Sequence, residues 1–148
     1  MKQTSKTTSF VNADNLILGR MATAVAKRLL QGENVIIFNA EKAVISGKRS
    51  SIVKKAKGKL EIGHPRKGPY WPRRPDEFVK RTIRGMLPRK KPKGKESYKR
   101  LHVYISIPEE FKDQSLETIR EAQAVKLKCQ YSHLGDITTE LGWIPQGE

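Results

Sequence analysis

The stretch Phe10–Phe38, FVNADNLILGRMATAVAKRLLQGENVIIF, contains the pattern that decides the fold. It opens with a short apolar run that ends at Asp14-Asn15, a turn signal, and this predicts a first strand. Seven apolar residues then recur at helical spacing and predict one face of a helix: Leu18, Met21, Ala22, Val25, Ala26, Leu29 and Leu30. The continuous apolar run Val35–Phe38 is typical of a strand buried on both faces of a parallel sheet. Together these segments predict a βαβ unit, whose crossover is right-handed when its strands are parallel.

Outward from this unit, the sequence predicts further helices and strands joined by two basic loops. Periodicity predicts helices over Lys48–Leu60, Pro75–Leu87, Ser115–Lys128 and Asp136–Leu141, and strands over Leu101–Ile107 and Tyr131–His133. In the helix predicted from Ser115, four residues face inward: Leu116, Ile119, Ala122 and Val125. Proline and glycine exclude a helix over residues 62–75, and residues 88–100 contain the second basic loop. We therefore expect a single α/β domain over residues 1–148, with both loops projecting from it.

The positive charge of the chain is concentrated in one central block, residues 42–100. The 148 residues carry a net charge of +15, whereas the block alone has 21 Lys and Arg against four acidic residues, a net of +17. Self-repulsion destabilises a compact state unless a polyanion lies against such a face, and interleaved Arg, Pro, Gly and aromatic residues match nucleic acid. An anionic membrane is a weaker alternative because no basic helix has a broad aromatic face. A solvated basic protein without a polyanionic partner is the remaining alternative.

Cysteine usage and hydropathy predict a cytosolic protein. Cys129 is the only cysteine, so no intramolecular disulfide can form, which fits a reducing compartment. The first residues, Met1–Ser9, are polar and do not resemble a secretory signal. No apolar run approaches the ~20 residues that a membrane span needs.

Known signatures of phosphate, dinucleotide and metal sites are missing from the sequence. Gly-Lys pairs occur at 47–48, 58–59 and 94–95, but none has the glycine five residues earlier that a P-loop requires. No G-x-G-x-x-G follows the first strand, which argues against a dinucleotide site. The three histidines are widely spaced, and one cysteine cannot build a zinc knuckle. We therefore predict no cofactor and no metal.

Two pairs of polar residues have the chemistry for catalysis but a simpler interpretation. Cys129 and His133 are four residues apart and would meet on a helix, but a small buried cysteine beside a surface histidine is the better interpretation. Asp76 and Glu77 suit the positive start of a helix better than a general acid–base pair. An RNA-modifying or RNA-cleaving enzyme would need a clustered acid, base or metal site. The sequence contains no such cluster, so we predict a protein that is not an enzyme.

The most informative segment for binding is Gly63–Pro75, GHPRKGPYWPRRP. Its Arg and Lys side chains suit phosphate oxygens, and each Arg can bind two oxygens at once. Tyr70 and Trp71 can stack on unpaired bases, although the alternative is that they pack on the domain and anchor the loop. The prolines hold the segment extended, so less conformational entropy is lost when it docks.

A second segment, Arg89–Lys95, contains five basic residues and neither an acidic nor an apolar one. Packed like charges favour an anion, and structured RNA presents a dense array of phosphates. Arg20 lies at the start of the first predicted helix, where its side chain either contacts phosphate or is solvated. The predicted RNA contacts are Arg20, Lys48, Arg49, Arg66, Lys67, Tyr70, Trp71, Arg73, Arg74, Arg81, Arg84, Arg89, Lys90, Lys91, Lys93, Lys95, Lys99 and Arg100.

Four strings of this sequence resemble the large-subunit ribosomal protein thirteen family: LILGRMA at 16–22, NAEKAVISG at 39–47, RRP at 73–75 and RTIRGMLPRK at 81–90. The resemblance extends from about Phe10 to Trp143. The Gly85-Met86-Leu87-Pro88 element in its basic setting is its most specific part. The length and the Gly68–Pro75 loop are similar to the archaeal branch.

This resemblance implies a three-layer α/β/α fold with a small, mainly parallel four-stranded sheet. It also implies a structural constituent of the large ribosomal subunit, which binds ribosomal RNA directly, lies beside neighbouring ribosomal proteins and supports early assembly. An extra-ribosomal regulator that binds messenger RNA would use the same basic surface and is the alternative.

Overall fold

The computed structural model of the chain describes residues 7–146, and the polar start predicted not to be a secretory signal lies mostly outside this range. Within it, five strands and five α-helices follow in chain order: β1 (Thr8–Asn12), α1 (Leu18–Leu30), β2 (Asn34–Phe38), β3 (Val44–Ser46), α2 (Arg49–Glu61), α3 (Pro75–Met86), α4 (Pro92–Lys99), β4 (Leu101–Val103), β5 (Tyr131–His133) and α5 (Leu134–Glu140). Four short 3-10 turns supplement them, at Ala40–Lys42, Glu109–Phe111, Arg120–Ala122 and Ala124–Lys126.

The predicted βαβ unit is confirmed and forms the centre of the fold. Strands β1 and β2 pair in parallel with Val11 opposite Ile37, and β4 pairs in parallel with the other edge of β2. Helix α1 connects β1 to β2 and ends before Gly32, whose φ of 99° is one that glycine adopts without strain.

The two faces of this sheet are covered differently. One face contributes Val11, Val35 and Ile37 to the main core, where they are fully buried in the same cluster as apolar residues of α1 and α3. The opposite face carries an aromatic cluster in which Phe38 lies 5.4 Å from Phe111, centroid to centroid. Phe10 and Tyr104 complete this cluster. The outer cover on this side is therefore a 3-10 turn rather than a long helix.

The α/β class and the small, mostly parallel sheet are confirmed, but the number of strands differs from the expected four. The described residues form a three-stranded sheet and a separate antiparallel pair, β3 with β5. The position of a fourth parallel strand is occupied by a single bridge between Val11 and Glu117. Strand β4 is also shorter than the predicted Leu101–Ile107. It ends at Val103, and Ser106, inside the predicted range, has a left-handed φ of 62° that a regular strand excludes.

The helix predicted over Ser115–Lys128 is wrong. The segment lies extended along the start of the chain, where the N–H of Ile17 donates to the carbonyl of Ala122 at 2.6 Å and that of Ala124 to Asn15 at 2.9 Å. Only two 3-10 turns interrupt it. Ile119 and Ala122 are buried as expected, but Val125 is 91% exposed. A spacing of three residues suits the 3-10 helix as well as the α-helix, which explains the error.

The loop predicted over Arg89–Lys95 is wrong in its second half. Pro92 begins α4, where a proline is tolerated because the first N–H of a helix has no intrahelical partner. The other helices, α1, α2, α3 and α5, begin and end within three residues of their predicted bounds. Among residues 7–146, none of the helices combines the length and the hydropathy that crossing a membrane requires.

Candidate nucleic-acid interface

Helix α2 is a basic helix held to the domain by very few apolar side chains. Only Val53 and Ala56 are buried, whereas its lysines are exposed. The sequence analysis missed four of these lysines as candidate contacts, although the run KKAKGK was visible in the sequence: Lys54, Lys55, Lys57 and Lys59.

The loop that follows α2 forms a tight turn at its tip. His64 and Gly68 exchange backbone hydrogen bonds of 2.9 and 2.8 Å, and the Tyr70 hydroxyl donates to the carbonyl of Pro65 at 3.2 Å. Gly63 allows this closure, since a Cβ there would lie 2.5 Å from Cδ of Pro69. Arg66 and Lys67 are exposed at the tip, and Tyr70 is 65% exposed.

Trp71 packs on the domain and connects the loop to two helices. Lys59 Nζ of α2 lies 4.3 Å from the centre of its ring, and Arg81 Cζ of α3 lies 4.2 Å from it. Phe78 meets the ring edge-on at 6.1 Å. Trp71 therefore packs on the domain, as the second of the two interpretations predicted. Its indole ring makes cation–π contacts with Lys59 and Arg81 beside the loop.

Helix α3 presents a row of arginines on the side opposite its buried residues, Val79 and Ile83. Burial lowers the pKa of Arg81, and the positive charges of Arg84 and Arg89 lower that pKa further. The Arg81 guanidinium also donates to the carbonyl of Tyr70 at 3.4 Å. Three guanidinium groups are therefore close enough to repel one another, and they attract an anion more strongly than a single arginine.

Helix α4 presents the second group of cations on a rigid support. Lys93 and Lys95 in the helix and Lys90 and Lys91 before it are exposed, whereas Gly94 and Ser97 are buried. The Ser97 hydroxyl donates to the carbonyl of Lys93 at 2.8 Å. Lys93 and Lys95 are therefore attached to a helical backbone, and Lys90 and Lys91 lie directly before it.

Several predicted contacts have intramolecular acceptors. Arg100 donates to the carbonyl of Leu29 at 2.6 Å, near the end of α1, and to the Ser97 hydroxyl at 3.1 Å. Arg49 pairs with Glu140 at 2.6 Å and Arg74 with Asp76 at 3.2 Å. These arginines contribute positive charge to the surface but already have hydrogen-bond partners.

The remaining predicted contacts are exposed at other places. Arg73 and Lys99 lie beside α3 and at the end of α4, whereas Lys48 precedes α2 at the end remote from Lys59. Arg20 lies in the first turn of α1 and borders a groove together with Lys55 and Lys59. We call the joint surface of α2, the 62–74 loop, α3 and α4 the cationic face.

The residues weighed for catalysis or metal binding do not form a site. His133 lies in β5, where its Nδ1 is 3.2 Å from the carbonyl of Lys42, and Cys129 is exposed in the connection before that strand. The interpretation of Cys129 as buried is therefore wrong. Between residues 7 and 146, no group of three or more His, Cys, Asp or Glu side chains could hold a metal ion.

The sequence of this chain is similar to those of known proteins. The profile of the family Ribosomal protein L13 matches residues 6–110. A large ribosomal subunit protein uL13 from Methanopyrus kandleri is 42% identical over 142 residues, which cover 93% of this chain and 89% of that protein. The protein of the same name from Methanosarcina barkeri is 46% identical over 134 residues, covering 89% and 96%, and that from Archaeoglobus fulgidus is 41% identical over 135 residues, covering 90% and 86%.

Proposed function

Because the chain belongs to the ribosomal protein L13 family, a family of structural and non-enzymatic proteins, we propose that it is a constituent of the large ribosomal subunit. The observation that carries this proposal, beside the family, is the cationic face. This face lies within residues 42–100, which carry 21 basic and four acidic residues, and it is formed by three helices and a closed loop.

Within this role, we propose that the cationic face binds large-subunit ribosomal RNA directly. The exposed cations neutralise phosphates and release counterions, whereas the packed Trp71 positions Lys59 and Arg81 for the same purpose. Phosphate contacts position a protein on RNA, and the shape of the RNA selects the site. On the cationic face, the exposed ring of Tyr70 can stack on an unpaired base.

We also propose that binding supports early assembly of the subunit in the cytoplasm. The interface is already arranged in the free domain, so little conformational entropy is lost when RNA docks. Neighbouring ribosomal proteins would then contact the sides of the domain that the RNA leaves uncovered.

Sedimentation of cell lysate through sucrose gradients at low and high salt tests the ribosomal role. We expect the protein to migrate with the large subunit in one-to-one amount and to remain there at high salt. Migration at the top of the gradient would contradict the proposal. Recovery with messenger RNA complexes instead would favour the extra-ribosomal regulator.

The salt dependence of binding to purified large-subunit ribosomal RNA tests the contacts. Lys91→Ala removes an exposed cation that caps α4 without a side-chain hydrogen bond, so the fold is retained. We expect weaker binding and a salt slope smaller by about one. The control is Lys112→Ala, outside residues 42–100, which removes a cation that lies 3.7 Å from Glu109. An unchanged slope for Lys91→Ala would remove this residue from the interface.

A further inference from the structure

An apolar groove of about 500 Å³ opens beside the cationic face, between the start of α1, β3, α2 and α3. Its floor is made of buried side chains, among them Ile17, Leu18 and Ala56, which are 5–7% exposed. Its walls include the partly exposed Ile52 and Phe78. The groove therefore leaves apolar surface in contact with water in the free protein, at a cost that an occupant would remove.

The rim of this groove is positively charged. Arg20, Lys55 and Lys59 border it, all three are exposed, and no acidic residue is among its lining residues. The occupant that fits is consequently an anion with a large apolar part. Lys59 also lies over the Trp71 ring, so the rim is continuous with the cationic face.

We propose that this groove binds an unpaired nucleobase of the bound RNA, with the phosphates on either side of that base held by the three rim cations. This inference rests on the proposed RNA-binding function and identifies an unpaired nucleobase as the part of the RNA that binds in the groove. Paired RNA presents riboses and phosphates, which are polar and leave an apolar groove unfilled. An unpaired base has two apolar faces and is flanked by phosphates. One nucleotide can therefore fill the apolar groove and pair with the cations on its rim.

An acidic segment of another protein is the rival occupant. It would match the three cations, but it would also have to displace RNA from Lys59, which belongs to the groove and to the cationic face at once. A nucleobase avoids this conflict because the same RNA strand continues onto the face.

Two exposed, uncharged helical residues provide the variants for the test. Gly19 lines the groove, and a Cβ there would meet nothing within 4 Å, whereas Thr139 is on α5, outside both the groove and the cationic face. Gly19→Leu places a side chain at the groove without changing charge, and Thr139→Leu is its control. Ala56→Leu fills the groove from its floor and is the second variant if Gly19→Leu fails to fold, which circular dichroism would show.

The measurement is base-specific chemical probing of large-subunit ribosomal RNA, free and bound to each full-length variant. We expect the wild type and Thr139→Leu to protect one unpaired base that stays reactive with Gly19→Leu. We also expect Gly19→Leu to weaken binding roughly 5- to 150-fold, the range for one lost stacking contact, with an unchanged salt slope. Identical protections in all complexes would overturn the inference while leaving the proposed RNA binding intact. Loss of salt-dependent binding by the wild type would instead overturn the proposed function.

A cross-link identifies the occupant in assembled subunits. Ser46 is exposed and lines the groove, and Cys129 is the only native thiol. A photoreactive group on Ser46→Cys, in a Cys129→Ser background, is expected to cross-link to ribosomal RNA. A cross-link to another protein would overturn the nucleobase proposal in favour of the acidic segment.

Discussion

Gly94 shows how one residue without a side chain lets the basic helix α4 approach the rest of the domain. A Cβ at this position would lie 2.1 Å from the carbonyl oxygen of Pro88, a backbone atom that cannot move by itself. The glycine and the proline in this segment predict a loop, since both residues are common in loops. The close packing that requires the glycine depends on the path of residues 88–91 and could not be predicted from composition.

We expect Gly94→Ala to destabilise the free protein by about 1–3 kcal/mol, as overpacking of a tight contact does. The matched control is Gly58→Ala in α2, where a Cβ meets nothing within 4 Å. Gly58→Ala should stabilise the free protein by about 0.5–1 kcal/mol, because alanine in a helix loses less conformational entropy on folding than glycine. Thermal unfolding of both variants measures the difference, and equal melting temperatures would contradict the close approach.

Arg84 illustrates a residue whose charge favours binding and opposes folding. Burial is the main cause of the lowered pKa of Arg81, and the positive charge of Arg84 lowers this pKa further, so the folded state disfavours the protonated Arg81 relative to the unfolded chain. This cost is present at every pH below the lowered pKa of Arg81 and disappears only as the pH rises through it. It therefore persists across the neutral range.

We expect Arg84→Gln to stabilise the free protein by about 0.2–0.5 kcal/mol, the usual size of a like-charge contact on a helix. The same change should weaken binding to ribosomal RNA and lower the salt slope by about one. Denaturant unfolding and a salt titration of binding measure the two effects. Lower stability of this variant would show that Arg84 makes favourable contacts in the fold.

At the scale of elements, periodicity identified most helices, and its failures have specific physical causes. Helices α1 and α3 have long apolar stripes and were predicted closely. In the segment after Ser115, the three-residue spacing of Ile119 and Ala122 is compatible with an α-helix and with 3-10 turns. The segment forms 3-10 turns because its backbone hydrogen-bonds to the start of the chain. The basic segments were identified by charge, whereas the contacts of Trp71 with Lys59 and Arg81 depend on how the two helices that flank the loop approach each other.

The contact among α2, α3 and the 62–74 loop predicts the effect of replacing its central residue. Trp71→Leu removes two cation–π contacts, each contributing about 0.5–1 kcal/mol at an exposed site. We expect weaker RNA binding with an unchanged salt slope, since no charge is lost. Hydrogen exchange should show faster opening of residues 62–74.

The control for this change is Phe111→Leu, because Phe111 lies in the aromatic cluster on the other face of the sheet, 5.4 Å from Phe38. We expect Phe111→Leu to leave exchange in the 62–74 loop as it is in the wild type. Unaltered exchange in Trp71→Leu would mean that the loop is held by other contacts.

At the scale of the whole molecule, the net charge of +15 acts on stability as well as on binding. Salt shortens the range of repulsion from about 30 Å at 0.01 M to about 8 Å at 0.15 M, so repulsion between cations is screened. We therefore expect the melting temperature of the free protein to rise as sodium chloride is added over this range. Calorimetry measures it, with the neutral solute sucrose at equal osmolality as the control, and a flat or falling profile would show that self-repulsion is not significant.

The pairing of residues 117–124 with β1 and the following turn has a consequence for the protein during its synthesis. The first strand cannot complete its outer edge until these late residues are made, and the basic residues 42–100 are all made before them. At roughly 5–20 residues per second, the interval between Arg100 and Ala124 lasts about 1–5 seconds. Throughout that interval each nascent chain presents its cations before its native sheet is complete, surrounded by messenger and transfer RNA. A nascent chain of this protein is thus expected to need protection by a chaperone that binds basic segments, until its last third has emerged.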